Sequence, residues 1–319
     1  MMLRSVLSQL SPSGGGARLT ILILHRVLTR PDPLMPDIPD AGRFARMLSW
    51  LTSWFVVLPL AEGISRLLDG RLPARALAIS FDDGYADNAE VALPILKQYG
   101  ASATFFIATG FLDGGTMWND RVIESIRGTA QTMLDLGPFG RFPTGSVAER
   151  RMALKNVITA IKYLDPAART AAVERVVEAS GVIVPHDLMM SSEAVRSLSR
   201  AGMGIGAHTR THPILTRLDT AEARAEIAGG RAELEAITGR RVELFAYPNG
   251  RPGSDYGAEH VAIVRELGFL AAVTTAAGVA TTGTDRFQLP RYTPWEQDKL
   301  RFGLRLAQNL TQIRPTMVI

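Results

Sequence analysis

Short, almost continuous apolar runs alternate with amphipathic stretches along most of the chain. Leu19–Leu24, Ala76–Phe81, Ala103–Ala108, Met203–Ala207, Val242–Tyr247, Leu270–Thr274 and Phe287–Tyr292 are the clearest runs, and Phe55–Leu58 is a shorter one. Runs of this length without a polar face predict strands covered on both sides, as in a parallel sheet. The intervening segments carry helical spacing and helix punctuation. Asp40 opens a helix to Trp54, Leu60–Leu68 is closed by Gly70, and Val91–Gln98 starts behind Asp87 or Asn88 as cap. Ser191 or Ser192 caps a helix through Arg200, Leu218–Thr238 ends at Gly239 with a pair of glycines (Gly229, Gly230) inside it, and Glu259–Leu267 follows. Repeated strand–helix alternation predicts one α/β body whose polar strand ends share a rim.

The alternation fails from about Phe111 to Met190, where the readable pieces are helical: Asp120–Ile126, Ala148–Leu164 and Pro166–Ala179. A connection needs far fewer residues, so residues 111–190 read as an insertion, either a lid or a packing module. Ser11–Gly16 reads as a flexible linker, which makes residues 1–18 a flexible tail or a short surface helix and residues 19–319 the body. No apolar run approaches the roughly 18 to 20 residues that span a bilayer. The N-terminus lacks a sustained apolar core, so no secretory signal is read and a cytoplasmic or membrane-peripheral location is expected. With no cysteine, disulfides and thiolate zinc sites are excluded. A net charge of +4 without a Lys/Arg tract argues against a nucleic-acid partner.

Candidate chemistry sits where apolar runs stop. Ala76–Phe81 breaks into Asp82-Asp83-Gly84. Adjacent side chains of a regular strand diverge, so two neighbouring carboxylates share a site only where the strand turns. Asp-Gly alone also reads as ordinary turn punctuation. The second run, Met203–Ala207, ends in His208-Thr209-Arg210-Thr211-His212, and a spacing of four would place both imidazoles on one face of a helical turn. Of five histidines in the chain, these two and a strand-end carboxylate suggest an Asp-His-His metal site. His25 ends another strand, and read from the residues alone is as well a structural edge histidine. Trp118, in Met117-Trp118-Asn119-Asp120, is either a sugar-stacking face or core of the insertion.

Phe81-Asp82-Asp83-Gly84 followed by His208-Thr209-Arg210-Thr211-His212-Pro213 resembles the first two motifs of the polysaccharide deacetylases, a resemblance running roughly over residues 19 to 295. It implies a deformed (β/α)7 barrel and hydrolysis of N-acetyl groups on an amino sugar of a poly- or oligosaccharide. In that pattern Asp83, His208 and His212 hold one divalent metal ion, with zinc the first expectation, and Asp82 takes the proton of the attacking water. The layout is closest to the poly-N-acetylglucosamine deacetylases, in which an early strand ends in Tyr-His and that histidine is the catalytic acid. Leu24-His25 occupies that place, and no late Leu-x-His is present after Ala271. Tyr247-Pro248-Asn249-Gly250 falls at the third motif, implying an oxyanion-stabilising backbone N–H at Tyr247 beside Pro248, but the motif's arginine is absent. Arg291 either supplies that charge beside Asp82 or is a surface or salt-bridged arginine. A deacylase acting on another amide or ester, and a silent glycan-binding barrel, are the alternative readings.

Overall fold

The computed structural model describes residues 2–294 and 296–319. Its strands are β1 (Leu19–Leu24), β2 (Val56–Val57), β3 (Ala76–Phe81), β4 (Thr104–Ile107), β5 (Met133–Asp135), β6 (Arg141–Pro143), β7 (Gly204–Ala207), β8 (Leu244–Ala246) and β9 (Ala271–Val273). Its α-helices are α1 (Met2–Leu10), α2 (Ala41–Trp54), α3 (Leu60–Leu68), α4 (Leu93–Gln98), α5 (Trp118–Gly128), α6 (Val147–Ile161), α7 (Pro166–Ser180), α8 (Ser192–Arg200), α9 (Thr220–Thr238), α10 (Ala258–Glu266) and α11 (Lys299–Asn309). One parallel sheet runs β1-β3-β4-β7-β8-β9, with β2 also pairing β3. It curls into a deformed barrel. The closure between β9 and β1 is irregular: Leu289 bridges Val273 and Tyr292 bridges Leu22, where the sequence suggests a full strand over 287–292.

Side chains alternate as a sheet buried on both faces requires. Ala76 and Ala78 join Leu19, Ile21, Phe106, Ala246, Ala271 and Leu289 in one cluster, and alanines leave room where the curl is tight. Leu77, Ile79 and Phe81 point the other way, into a second cluster that also holds Phe44, Leu48 and Leu51 of α2 and Ile227 of α9. Each such large side chain contributes roughly 1.5–3 kcal/mol by leaving water. Asp40 caps α2 as expected, accepting from the Arg43 N–H. Among the described residues, no helix is long and apolar enough to cross a membrane.

Two expectations are corrected and one alternative is decided. Of the two readings of the first residues, the helix holds and the flexible tail does not: Leu3, Leu7 and Leu10 form one helical stripe, Leu7 is fully buried, and α1 packs on α2 and α11. Gly303 of α11 is what admits it, since a Cβ there would meet the Leu3 side chain at 2.4 Å. Asp87 and Asn88 do not cap the helix after β3, which begins as a π-helical turn over Asn88–Ala92. Their side chains instead tie down the end of β1, Asp87 accepting from Arg26 and the Val27 N–H and Asn88 donating to the His25 carbonyl. The inserted region holds, besides α5, α6 and α7, an antiparallel hairpin of β5 and β6 that the sequence reading misses. Val122, Ile126, Leu134, Leu154, Val157 and Val173 give this region a core of its own, into which Leu34 from the loop after β1 is inserted.

Candidate active site

At the end of β3 the chain leaves the extended conformation at Asp83 (φ 78°) and Gly84 (φ 94°). That turn brings two neighbouring carboxylates to one place. Gly84 is required for packing as well as conformation, because a Cβ would lie 2.9 Å from Ile107. Asp82 keeps the inward direction of Ala76, Ala78 and Ser80 and meets Arg291 in a two-pronged ion pair, both N–H···O distances 2.7 Å. Arg291 is 1% exposed and also donates to the Thr274 carbonyl at 2.8 Å, so this cation lies inside the barrel with its donors engaged.

His208 and His212 come together in a different way from the helical turn the spacing suggests. The segment after β7 is a loop in which Thr209 (φ 63°) and His212 (φ 53°) adopt left-handed backbone. The His212 N–H is donated to Thr209 Oγ1 at 3.1 Å, and the Arg210 and Thr211 N–H groups are both held by the Glu226 carboxylate of α9. This explains Gly229 and Gly230. A Cβ on Gly230 would lie 2.6 Å from the Thr209 carbonyl oxygen, and one on Gly229 would lie 2.6 Å from Arg210, so only a bare helix surface lets the loop sit this close.

The result is a convergent set. His208 Nε2 and His212 Nε2 each lie 3.4 Å from Asp83 Oδ1, and the three ligand atoms fall within 4.8 Å of one another. His208 Nδ1 faces the Ala246 carbonyl at 2.8 Å, which assigns its proton to Nδ1 and leaves the Nε2 lone pair toward Asp83. Asp83 Oδ1 is buried without a hydrogen-bond partner among the described residues. A buried anionic oxygen facing the His208 lone pair and the Nε2 of a second imidazole fits a divalent cation.

The charges are strongly coupled. Burial alone would raise Asp82, but the Arg291 guanidinium and His208 hold it below the usual carboxylate range. Burial likewise opposes ionisation of Asp83, and the two imidazoles override it to bring the carboxyl far down. For His208 burial works against the imidazolium, yet Asp82 and Asp83 raise it above the ordinary histidine value. In His212 burial prevails and lowers the ring to about 4.

These groups form one wall of a cavity of about 1240 Å³. That exceeds the roughly 300–1,000 Å³ of typical small-molecule pockets and leaves room for an extended ligand. His25, exposed at the end of β1, lines the same cavity, near enough for its charge to act on Asp82, Asp83 and His212. Trp118 lines it too while packing on the inserted core. Arg169 lies over its ring at 5.4 Å.

Tyr247 and Pro248 are not brought to the cavity wall. The Tyr247 N–H, expected to face an oxyanion, donates instead to the Val273 carbonyl at 3.2 Å, and the ring is buried in a stack on Tyr256. Sheet pairing of β8 with β9 claims that donor. Missed by sequence reasoning are Tyr85, Asp120 and Arg26, which line the cavity together. Asp120 stands beside Trp118, where it reads only as an acidic first turn of a helix.

The curled sheet with a three-ligand cluster at its strand ends defines an α/β-barrel protein with a candidate metal centre at the rim. The chain belongs to the polysaccharide deacetylase family, whose family model, described as Polysaccharide deacetylase, matches residues 69–272. It is accordingly a carbohydrate deacetylase, a hydrolase. Among curated proteins it is 20% identical over 277 residues to YxkH of Bacillus subtilis (strain 168), described as a polysaccharide deacetylase, covering 86% of this chain and 71% of that one. Among solved structures, the deacetylase PplD of Streptococcus pyogenes in complex with acetate superposes with a TM-score of 0.61 at 19% identity, over 92% of this chain and 98% of that chain. IcaB from Ammonifex degensii superposes with a TM-score of 0.58 at 17% identity, over 94% and 98%. At these identities the structural matches speak for the fold.

Proposed function

We propose that the protein hydrolyses N-acetyl groups on the amino sugars of an oligo- or polysaccharide, with Asp83, His208 and His212 holding one divalent metal ion, zinc being the first candidate. The observation that carries this reading is the convergence of those three ligand atoms, within 4.8 Å of one another, beside the ion-paired Asp82. When bound, such an ion would polarise the acetamide carbonyl and make water easier to deprotonate.

The remaining steps belong to the chain's own groups. Asp82, 3.9 Å from His208 Nε2 and kept ionised by Arg291, accepts the proton of the attacking water. Its carboxylate is held by the fork of Arg291, so it is oriented before substrate arrives. Water adds to the acetyl carbonyl, the C–N bond breaks, and the leaving nitrogen must take up a proton, because an amide anion is far too basic to depart. His25 is the proposed donor, as the histidine of the cavity not committed to the cluster. Trp118 offers a flat face to a sugar ring. The Tyr247 N–H has no part, since the sheet holds it.

The test is acetate release from N-acetylated oligosaccharides, a tetramer of N-acetylglucosamine first, alongside the metal content of the purified protein. One metal per chain with stoichiometric acetate release supports the reading. Metal binding without acetate from any N-acetylated sugar would contradict it.

A further inference from the structure

Asp120, in the first turn of α5, is 2% exposed and lines the cavity. Its Oδ1 accepts from the Tyr85 hydroxyl at 3.1 Å, while Oδ2 has no hydrogen-bond partner among the described residues. A buried carboxylate oxygen without a donor is costly, so it marks a place where something else supplies one. The nearby cation does not. Arg26 donates Nε to Asp87 at 2.7 Å and lies over the Tyr85 ring at 4.6 Å, so its charge is already answered by another carboxylate. The other charged groups acting on Asp120, Asp83 and Glu124, are themselves acidic. Two residues earlier on the same helix, Trp118 lines the same cavity.

We propose that Asp120 is the polar anchor of a sugar subsite: its free oxygen takes a hydrogen bond from a ring hydroxyl of the glycan, with Tyr85 fixing the carboxyl and Trp118 beside it. The subsite rests on the glycan reading above and adds a specificity-determining residue from the inserted region. A hydroxyl is favoured over an ammonium by the chemistry of the site. Burial brings the Asp120 carboxyl up to about 7, so both of its protonation states are present near neutrality. A hydroxyl can donate to the carboxylate or accept from the acid, whereas an ammonium needs the anion.

The experiment measures affinity, and so does not depend on turnover. A tetramer of N-acetylglucosamine and its 3-deoxy and 6-deoxy counterparts are titrated calorimetrically into the metal-loaded protein and into Asp120→Ala, which offers a hydroxyl neither donor nor acceptor. The substitution should weaken tetramer binding about 10- to 100-fold, the scale of one hydrogen bond to a charged group. One deoxy analogue should bind the native protein correspondingly less well, with Asp120→Ala indifferent to that change, as coupled partners require. Tyr85→Phe, which leaves the carboxyl in place but unfixed, should show a smaller loss. Melting temperature and metal content establish that both variants are folded. Equal tetramer affinity in folded Asp120→Ala, or undiminished discrimination against the deoxy analogue, would overturn the subsite. Loss of affinity in Asp120→Ala with no acetate released by the native protein would instead refute deacetylation and leave the subsite standing.

Discussion

The two walls of the cavity are built on different principles. On the barrel side, Asp82, Asp83, His208 and His212 are placed by strand ends, and nearly every polar atom behind them is committed: Arg291 to Asp82, the Ala246 carbonyl to His208, Glu226 to the loop between the histidines. On the opposite side the wall comes from the loop after β1 and the inserted helices, joined by Leu34 in the inserted core, the Asp32–Arg127 ion pair and Arg151 on the Pro33 carbonyl. Of these contacts the one made by Arg151 is exposed. On the proposed reading the difference separates chemistry from choice of substrate: strand ends hold the proposed reacting groups, and a separately packed module lines the approach to them.

The largest effect should come from breaking the barrel wall. His208→Ala or His212→Ala removes one of the three proposed ligands and should abolish both metal binding and acetate release, read by elemental analysis and an acetate assay. Full metal occupancy in both variants would remove these residues from the site. Next, Asp82→Asn should retain the metal and lower turnover by on the order of 10² to 10⁴, the range for a lost general base. Metal loss in that variant would exchange the roles of Asp82 and Asp83.

His25→Ala should keep the metal and lose turnover on the order of 10²-fold, with the alkaline limb of its pH–rate profile gone, because a general acid works only while protonated. Near-normal turnover would mean another group protonates the amine. The pH dependence of metal affinity sharpens the picture of the cluster. Asp82 and Asp83 raise His208 above its ordinary value, and its proton competes with the metal. Apparent affinity should therefore fall as pH drops through the His208 pKa, beginning above about 6.5, by about tenfold per unit. His212, lowered to about 4, adds nothing until far more acid. In Asp82→Asn the onset should move to lower pH. The smallest effect on chemistry belongs to the far wall: Leu34→Ala should cost about 2–4 kcal/mol of stability and raise KM a few-fold with metal content intact. A fall in metal occupancy there would show that the two walls are not independent.

Much of the barrel wall was legible because its residues sit where apolar runs end, and local sequence carries that signal. Asp82, Asp83, His208 and His212 were found this way. What local pattern could not show was the conformation that unites them: left-handed backbone at Thr209 and His212 replaces the helical turn, and the Gly229–Gly230 pair makes sense only against that loop. Arg291 lies 209 residues from Asp82, and its pairing was expected from a missing motif arginine rather than from spacing. The Tyr247 N–H went the other way, because sheet pairing claimed a donor that position alone leaves open. On the far wall almost nothing was readable. Asp120 looks like any acidic residue in a first helical turn until the tertiary structure buries one oxygen without a partner.

The most direct measurement strips the metal from the native protein with a chelator, then follows acetate release from the N-acetylglucosamine tetramer as a divalent ion is returned. Activity should vanish on stripping and recover in full at one equivalent per chain, with His208→Ala not recovering. Acetate release that persists in the stripped protein would contradict an Asp83-His208-His212 metal centre as the seat of the reaction.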